Sequence, residues 1–518
     1  MQPKQCIAII DSIKAYAKQN PTEAQVYEDW FQAVVNLRDT LSQDKRFDAY
    51  KYSGELRSVC AAMMGKMKTG EDVAKVYDII SRTYLFEAKD VFDSYCIYLE
   101  WNRAPEKKFY QPRRKVLKAV ADALQDLADD RLDLLAISMP PGSGKTALAI
   151  FYLTWLAGKN PDEPMLTGSH SNSFVRGVYD ECLRIFDKDG EYLWNDVFPD
   201  VVVSNTNAKD CRIDLGKRKR FETLEFTSIG TGNAGLYRAS ALLYCDDLVS
   251  GIEVALSKPR LDKLWETYTT DLRQRKIGNK CKELHIATRW SVHDVIGRLE
   301  QNYGDSDRNR FIVMPAMDEK DESNFDYDYG VGYSTETLRK QREVMDEMSW
   351  KALYMNQPVE REGLLFPADE LRYFNGVLPD GEPDRKLMVM DIAWGGGDFT
   401  ACPIAYVYGD AVFIPDLVFN NGDKTVTRPE VVGKIIQHKI NVVRGEANNG
   451  GDEYCDVVDS QLRQQGYHCS VRSQRAPSGQ SKLSRIIQYA PDIKRFYFLD
   501  EKHQSKEYKA FMEQVTMF

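Results

Sequence analysis

Three groups of residues in this chain could do chemistry by type and spacing. The first is Met139-Pro140-Pro141-Gly142-Ser143-Gly144-Lys145-Thr146. Small residues in such a loop let backbone N–H groups converge on anionic oxygen, and the dipole of a following helix favours negative charge there. Gly142, Ser143 and Gly144 would cradle the phosphates of ATP, Lys145 would reach the β- and γ-phosphates, and the Thr146 hydroxyl would hold Mg²⁺. The first glycine of the usual phosphate-loop pattern is replaced by Met139. The second group is Asp246-Asp247, which closes the apolar run from Arg238. Its first carboxylate would hold Mg²⁺ through water and its second would orient the attacking water. The third group is Asp391 and Glu446, each ending an apolar segment (Lys386 to Met390 and Asn441 to Gly445). Carboxylates gathered at adjacent strand ends bind two divalent ions, Mg²⁺ or Mn²⁺, that activate water for phosphodiester cleavage.

Each group also has a plainer reading, since Pro/Gly turns and strand-end acids are often only turns and helix caps. The order of elements around them decides. Leu134 to Ser138 is an apolar run, and Ala147 to Leu156 carries helical apolar spacing, so the first group sits between a buried strand and a helix. Residues 106–317 alternate strand and helix patterns, the mark of a parallel α/β sheet, with Pro164 to Ser169 as the next strand. Within it, Leu284 to Trp290 is a strand ending in Thr288 and Arg289. Thr288 is the candidate γ-phosphate sensor and Arg289 a partner for phosphate or DNA, against a β-strand threonine and a surface arginine.

Residues 366–518 begin a new α/β pattern. A strand ends at Asp391, Gly395-Gly396-Gly397-Asp398 turns the chain, and Thr400 to Tyr408 and Ala411 to Phe419 complete a three-strand meander. The helix Arg428 to His438 leads to the strand ending in Glu446. That strand order and acid placement are those of an RNase H-like fold. Between the two patterns, residues 318–365 form a linker subdomain, with an acidic, Gly/Tyr-rich loop from Asp318 to Tyr333 and a helical segment to Gln357-Pro358. Residues 1–105 read as a helical accessory region without visible chemistry. Ile9, Ile13 and Tyr16 share one face, as do Trp30, Val34, Leu37 and Leu41. The expected fold class is α/β: a helical N-terminal region, a P-loop NTPase parallel sheet domain and an RNase H-like α/β nuclease domain.

Composition narrows the class. The 518 residues are 43% hydrophobic and 28% charged with a net charge of −9, so the chain is no basic nucleic-acid coat and DNA contact has to be local. The densest basic run, Lys217-Arg218-Lys219-Arg220, reads first as a solvated hairpin turn and second as a DNA contact. No apolar run is long enough for a membrane span, and the first residues lack a signal-peptide pattern. Ten scattered cysteines without CxxC, and no HExxH, point to reduced cytosolic thiols and away from zinc.

A P-loop ATPase followed by an RNase H-like nuclease resembles the large subunit of tailed-phage terminases. The resemblance covers roughly residues 106–518. It rests on the phosphate loop, on Asp246-Asp247, on Ala287-Thr288-Arg289-Trp290 with His293 to Leu299 behind it, and on Met314-Pro315-Ala316, Tyr354-Met355-Asn356-Gln357-Pro358 and Asp391 to Asp398. It implies an ATP-driven motor that pumps double-stranded DNA into the prohead in the host cytoplasm, and a metal-dependent endonuclease that cuts the concatemer. The implied partners are the portal protein, a small terminase subunit and further copies of the chain in a ring on the portal, with no membrane. Carried over, Lys145 and Thr146 bind ATP and Mg²⁺, Asp246 is the metal-holding acid, and Thr288 lies in the motif that couples hydrolysis to movement. Asp247 stands where the family often has Glu, one methylene longer. Asp391 and Glu446 fall on the first two nuclease ligands, and Asp398 is a supporting acid. An arginine finger has no place inside this loop, which leaves Arg238 or a neighbouring subunit. The family's third nuclease acid lies in an Asp-rich segment absent here, where only Asp492 and Asp500 lie near a late strand. A C-terminally short chain with an incomplete nuclease metal site is therefore expected, its third ligand beyond residue 518. The alternatives are a superfamily 2-like translocase or helicase without nuclease activity, and a non-catalytic prophage remnant that binds a small terminase subunit.

Overall fold

A computed structural model describes residues 2–516 apart from 231–236, 256, 359–364, 394–397, 448–450 and 476–481. The Trp394-Gly395-Gly396-Gly397 turn thus lies outside the described residues. The chain divides into two compact units, Met1–Val359 and Glu360–Phe518.

The first unit is built on eight strands: β1 (Leu134–Ser138), β2 (Met165–Ser169), β3 (Val203–Asn207), β4 (Arg212–Leu215), β5 (Leu224–Ser228), β6 (Leu242–Asp246), β7 (Lys282–Ala287) and β8 (Asn309–Val313). Their order is β3-β4-β5-β2-β6-β7-β1-β8. From β5 to β8 every neighbour is parallel. At the other end β3, β4 and β5 run antiparallel, so the sheet is mixed rather than purely parallel. The links there are too short for a crossover and permit only hairpins. In the hairpin turn, Lys219 is not a solvated cation: its Nζ lies 2.9 Å from the buried Asp214 carboxylate and donates to the Leu215 carbonyl at 3.0 Å.

β1, β2, β5 and β6 are buried at every position, because helices cover both faces of the sheet and leave no solvated side for polar alternation. The helix Lys145–Lys159 is almost wholly buried. Its Trp155 donates to the Ala88 carbonyl at 2.8 Å, and its Thr154 hydroxyl meets the Tyr95 hydroxyl at 2.9 Å. The helix Phe92–Leu99 therefore shares the core of the sheet. In the helix Pro3–Gln19, Cys6, Ile10 and Ala17 are buried, whereas Ile9 and Tyr16 are exposed. The packed face is turned one position from the Ile9–Ile13–Tyr16 stripe read from the sequence. Trp30, Val34 and Leu37 are buried on the face expected for them.

The second unit has seven strands: β9 (Arg372–Phe374), β10 (Arg385–Met390), β11 (Thr400–Tyr408), β12 (Ala411–Asn420), β13 (Val442–Glu446), β14 (Ser470–Gln474) and β15 (Tyr497–Leu499). The order is β14-β13-β10-β11-β12-β15-β9. β10, β11 and β12 form an antiparallel meander, while β13 joins β10 and β15 joins β12 in parallel. One face packs Met388, Met390, Cys402, Ile404 and Val443 beneath the helices Lys424–Gln437 and Gly451–Gln464. The other packs Ile414, Leu417 and Phe419 against Tyr508 and Met512 of the helix Lys506–Thr516. The chain is α/β, with a helical N-terminal region, a P-loop NTPase sheet and an RNase H-like sheet.

Candidate functional site

Because β1, β6 and β7 are parallel, their C-terminal ends share one edge, and open α/β sheets bind ligands outside that edge. β7 lies between β1 and β6, so three consecutive strand ends present Lys145, Thr288 and Asp247 side by side. The loop after β1 turns through Gly142 (φ 70°) and Gly144 (φ 93°), left-handed conformations that favour glycine. Ser143 closes the turn on the Pro140 carbonyl through its hydroxyl at 2.8 Å. A side chain at Gly144 would come within 2.7 Å of the Phe109 ring, and one at Gly142 would run into the Tyr333 hydroxyl. Tyr333 donates to the Pro141 carbonyl at 3.0 Å, so the acidic segment read as a linker straps the phosphate loop. Phe109 is placed from the other side, where the buried Glu100 accepts the Phe109 and Tyr110 N–H groups at 2.9 Å.

Lys145 is buried to 7% exposure; its Nζ donates to the Thr288 hydroxyl at 2.5 Å and lies 3.4 Å from Asp247 Oδ2. Asp247, at φ 40°, accepts the Thr288 N–H on Oδ1 at 2.7 Å. Asp246 is fully buried, with Oδ2 accepting from the Tyr244 hydroxyl. Its Oδ1 is buried with no hydrogen-bond partner among the described residues. Burial, then the charge of Asp247, push the Asp246 pKa up to about 7, and Tyr244, Lys145 and the nearby Thr146 hydroxyl pull the other way. A desolvated carboxylate oxygen without a donor, beside a threonine hydroxyl, suits a Mg²⁺ ion, which Asp246 and Thr146 would hold. The cleft above these groups measures about 470 Å³ and is also lined by His170, Ser250 and Trp290.

Two arginines read from the sequence lie elsewhere than expected. Arg289 is 5% exposed; its Nε donates to Asp294 at 2.9 Å and its backbone N–H to Asn356 Oδ1 at 3.4 Å. It locks the loop after β7 and is no partner for phosphate or DNA. Arg238 precedes β6 and therefore sits at the strand edge opposite the phosphate loop, roughly 16 Å away for a strand of that length. It cannot reach this chain's own site.

In the second unit the last paired residues of β10 and β13 are Met390 and Gly445, so Asp391 and Glu446 are neighbouring continuations at one sheet edge. Asp391 is exposed, Glu446 half-buried, and Asp398 is exposed two residues before β11. Arg485, on the helix Lys482–Ile493, brings Nη2 to 3.8 Å from Glu446. Among the described residues no group of three His, Cys, Asp or Glu side chains could hold a metal ion. Asp500 follows β15, three strand positions from β10, or about 14 Å. It is held by His503 at 2.5 Å. Asp492 is exposed on the helix that carries Arg485.

Sequence reasoning passed over Tyr244, His170, Phe109, Tyr333 and Asn356. Tyr244 was findable, since a residue two before Asp246 on a strand shares its face. His170 directly follows β2, which parallels β6, and a polar strand end was the signal for it as well. Asn356 stands in the Tyr354 to Pro358 signature and Tyr333 closes the Gly/Tyr-rich loop, but neither pattern says what the side chain meets, and Phe109 carries no local signal.

The fold and the edge site together define a P-loop NTPase fold. No protein-family model matches the chain, and no curated protein matches it. Among solved structures it is similar to the large terminase of a thermophilic bacteriophage in complex with ADP (14% identity, TM-score 0.39, covering 76% of this chain and 88% of that one). It is similar to the same terminase in complex with ATP-gamma-S (14% identity, TM-score 0.40, 75% and 87%). It is also similar to the HK97 bacteriophage large terminase (12% identity, TM-score 0.33, 73% and 84%).

Proposed function

We propose that the first unit binds and hydrolyses ATP with Mg²⁺, and that the chain is the motor subunit of a phage DNA-packaging machine of the large-terminase type. The observation that carries the reading is the Lys145–Thr288–Asp247 contact across three adjacent strand ends, beside the unpaired Asp246 Oδ1. Gly142, Ser143 and Gly144 cradle the phosphates, and Thr146 and Asp246 hold the ion. Bound Mg²⁺ supplies charge neutralisation at the β- and γ-phosphate oxygens. The Lys145 ammonium rests on Thr288 and Asp247. A γ-phosphate offers it a stronger partner, which frees the Asp247 carboxylate to accept a hydrogen bond from the attacking water. The same exchange releases Thr288 at the end of β7, so arrival of the nucleotide is felt by the loop that Arg289 and Asn356 lock.

The polymer moved is double-stranded DNA, and the partners are the portal protein, a small terminase subunit and other copies of the chain in a ring on the portal, in the host cytoplasm. These partners follow from the sequence motifs. No described helix is long and apolar enough to cross a membrane. For DNA contact the second unit offers Arg444 and Arg472, which stand opposite each other in register on β13 and β14, next to the exposed Arg475. Like charges so placed destabilise a sheet unless an anion lies between them. The donor set of Asp391 and Glu446, with Arg485 beside it, does not fit two metal ions.

Purified chain is expected to hydrolyse ATP in a Mg²⁺-dependent way, and Lys145→Ala to lose at least about a hundredfold in turnover. Equal turnover by both proteins would sink the reading. Loss of prohead filling in the same variant, with portal binding intact, tests the packaging role.

A further inference from the structure

We infer that His170 is a second water-orienting residue of the ATPase site, a role that rests on the ATPase reading above. His170 directly follows β2, at the same strand-end edge as Lys145, Asp247 and Thr288, and lines the cleft with them. Its Nδ1 lies 2.7 Å from the backbone carbonyl oxygen of Asp247. A carbonyl only accepts, so Nδ1 donates in that bond, and Nε2 is left as the ring nitrogen that can accept. No described residue donates to Nε2. The ring is pinned by the Asp247 carbonyl on one side and by Phe174, 6.0 Å between centroids, on the other. The helix Asn172–Phe186, capped by the Ser171 hydroxyl, fixes the backbone immediately after it.

The chemistry asks for such a group. A water held by one acceptor still rotates about that hydrogen bond, whereas two acceptors fix both O–H bonds and aim the lone pair. Asp247 supplies one acceptor, but its side chain is short, and Oδ1 is already occupied by the Thr288 N–H. Oδ2 takes one water hydrogen and His170 Nε2 takes the other. The water oxygen then bonds to the γ-phosphorus while the bond from that phosphorus to the β,γ-bridging oxygen breaks, its electron pair leaving on ADP. The water proton ends on the released phosphate, so His170 orients the water and gains no proton.

Two isosteric substitutions separate this role from a structural one. Asparagine places its amide where Nδ1 stands and can keep the bond to the Asp247 carbonyl; glutamine places its carbonyl oxygen where Nε2 stands. In steady-state hydrolysis of MgATP by the full chain, His170→Asn is expected to lose about a hundredfold in kcat with KM unchanged, whereas His170→Gln stays within about fivefold. Thermal melting of both variants checks that they fold. Retained kcat in His170→Asn overturns the inference, and so does a loss in either variant that appears as raised KM. If wild type and Lys145→Ala hydrolyse ATP alike, the ATPase reading itself has failed. A wild type that depends on Lys145, with His170→Asn equal to it, condemns the His170 role alone.

Discussion

Two pairs of carboxylates stand at strand ends in this molecule, and they differ in how far water has been removed from them. Asp246 and Asp247 are consecutive, at the end of one fully buried strand; one oxygen is orphaned and an ammonium stands 3.4 Å from the second acid. Asp391 and Glu446 come from different strands of the second sheet, one exposed and one half-buried, with a guanidinium 3.8 Å from the glutamate. Asp246 has lost its water and one of its oxygens has no donor, while Asp247 is part-exposed beside the Lys145 ammonium. The second pair keeps solvent at both acids, with Asp391 exposed and Glu446 half-buried. Residue type at a strand end therefore does not separate the two pairs, whereas the burial of an oxygen without a donor does.

The largest effect expected from this difference is on ATP turnover. Asp246→Asn should lower MgATP hydrolysis about a thousandfold, while Asp391→Asn and Glu446→Gln, assayed beside it, change it less than about twofold. Similar losses at both pairs would erase the contrast.

Next comes DNA. Arg444→Ala with Arg472→Ala should weaken duplex binding and reduce the slope of log affinity against log salt by about one for each phosphate no longer neutralised. An unchanged salt slope would take the second unit's strand pair out of the DNA path. A smaller effect follows from Arg485. A partly exposed ion pair is worth about 0.2–1 kcal/mol. Arg485→Ala should therefore tighten Mn²⁺ binding at Asp391 and Glu446 by up to about fivefold in the full chain without nucleotide, read by calorimetry.

The smallest effect sharpens the burial argument on a third pair, Glu222 and Glu225. Glu225 is fully buried, and burial raises its pKa from 4.5 to about 8. The folded chain then holds a proton that the unfolded chain has released, so stability falls as pH rises from about 4.5 to about 8. Glu225→Gln, whose amide can donate in place of the carboxyl proton, should raise the melting temperature by roughly 2 °C at about pH 8 and less at about pH 5. A larger gain at the lower pH would reverse the sign.

Much of the fold was legible because its signals are short-range. The buried strand, glycine loop and helix around Lys145 occupy consecutive residues, and so do Asp246 and Asp247. Asp391 and Glu446 could be read as strand ends, but their adjacency was decided by the register of β10 on β13. The antiparallel pairing of β3, β4 and β5 departs from the parallel pattern read over residues 106–317, and the hairpin turn read at Lys217 to Arg220 was its local signal. Arg289 shows the limit most plainly. Its position after a strand suggested phosphate or DNA, yet Asp294 and Asn356 enclose it in a buried lock.

By itself, then, the sequence determined which residues could cradle phosphate and which acids would end strands, since both depend on loop chemistry and periodicity within a few residues. Only the tertiary structure decided what each of those groups meets. His170 reaches the Asp247 carbonyl across 77 residues, Tyr333 reaches the phosphate loop across 192, and Lys145 reaches Thr288 across 143. Strand order brings these pairs together, and the charge state of Asp246 follows from the burial that the same packing imposes. Desolvation and hydrogen-bond partnership are properties of a place in the fold, and no local pattern encodes them.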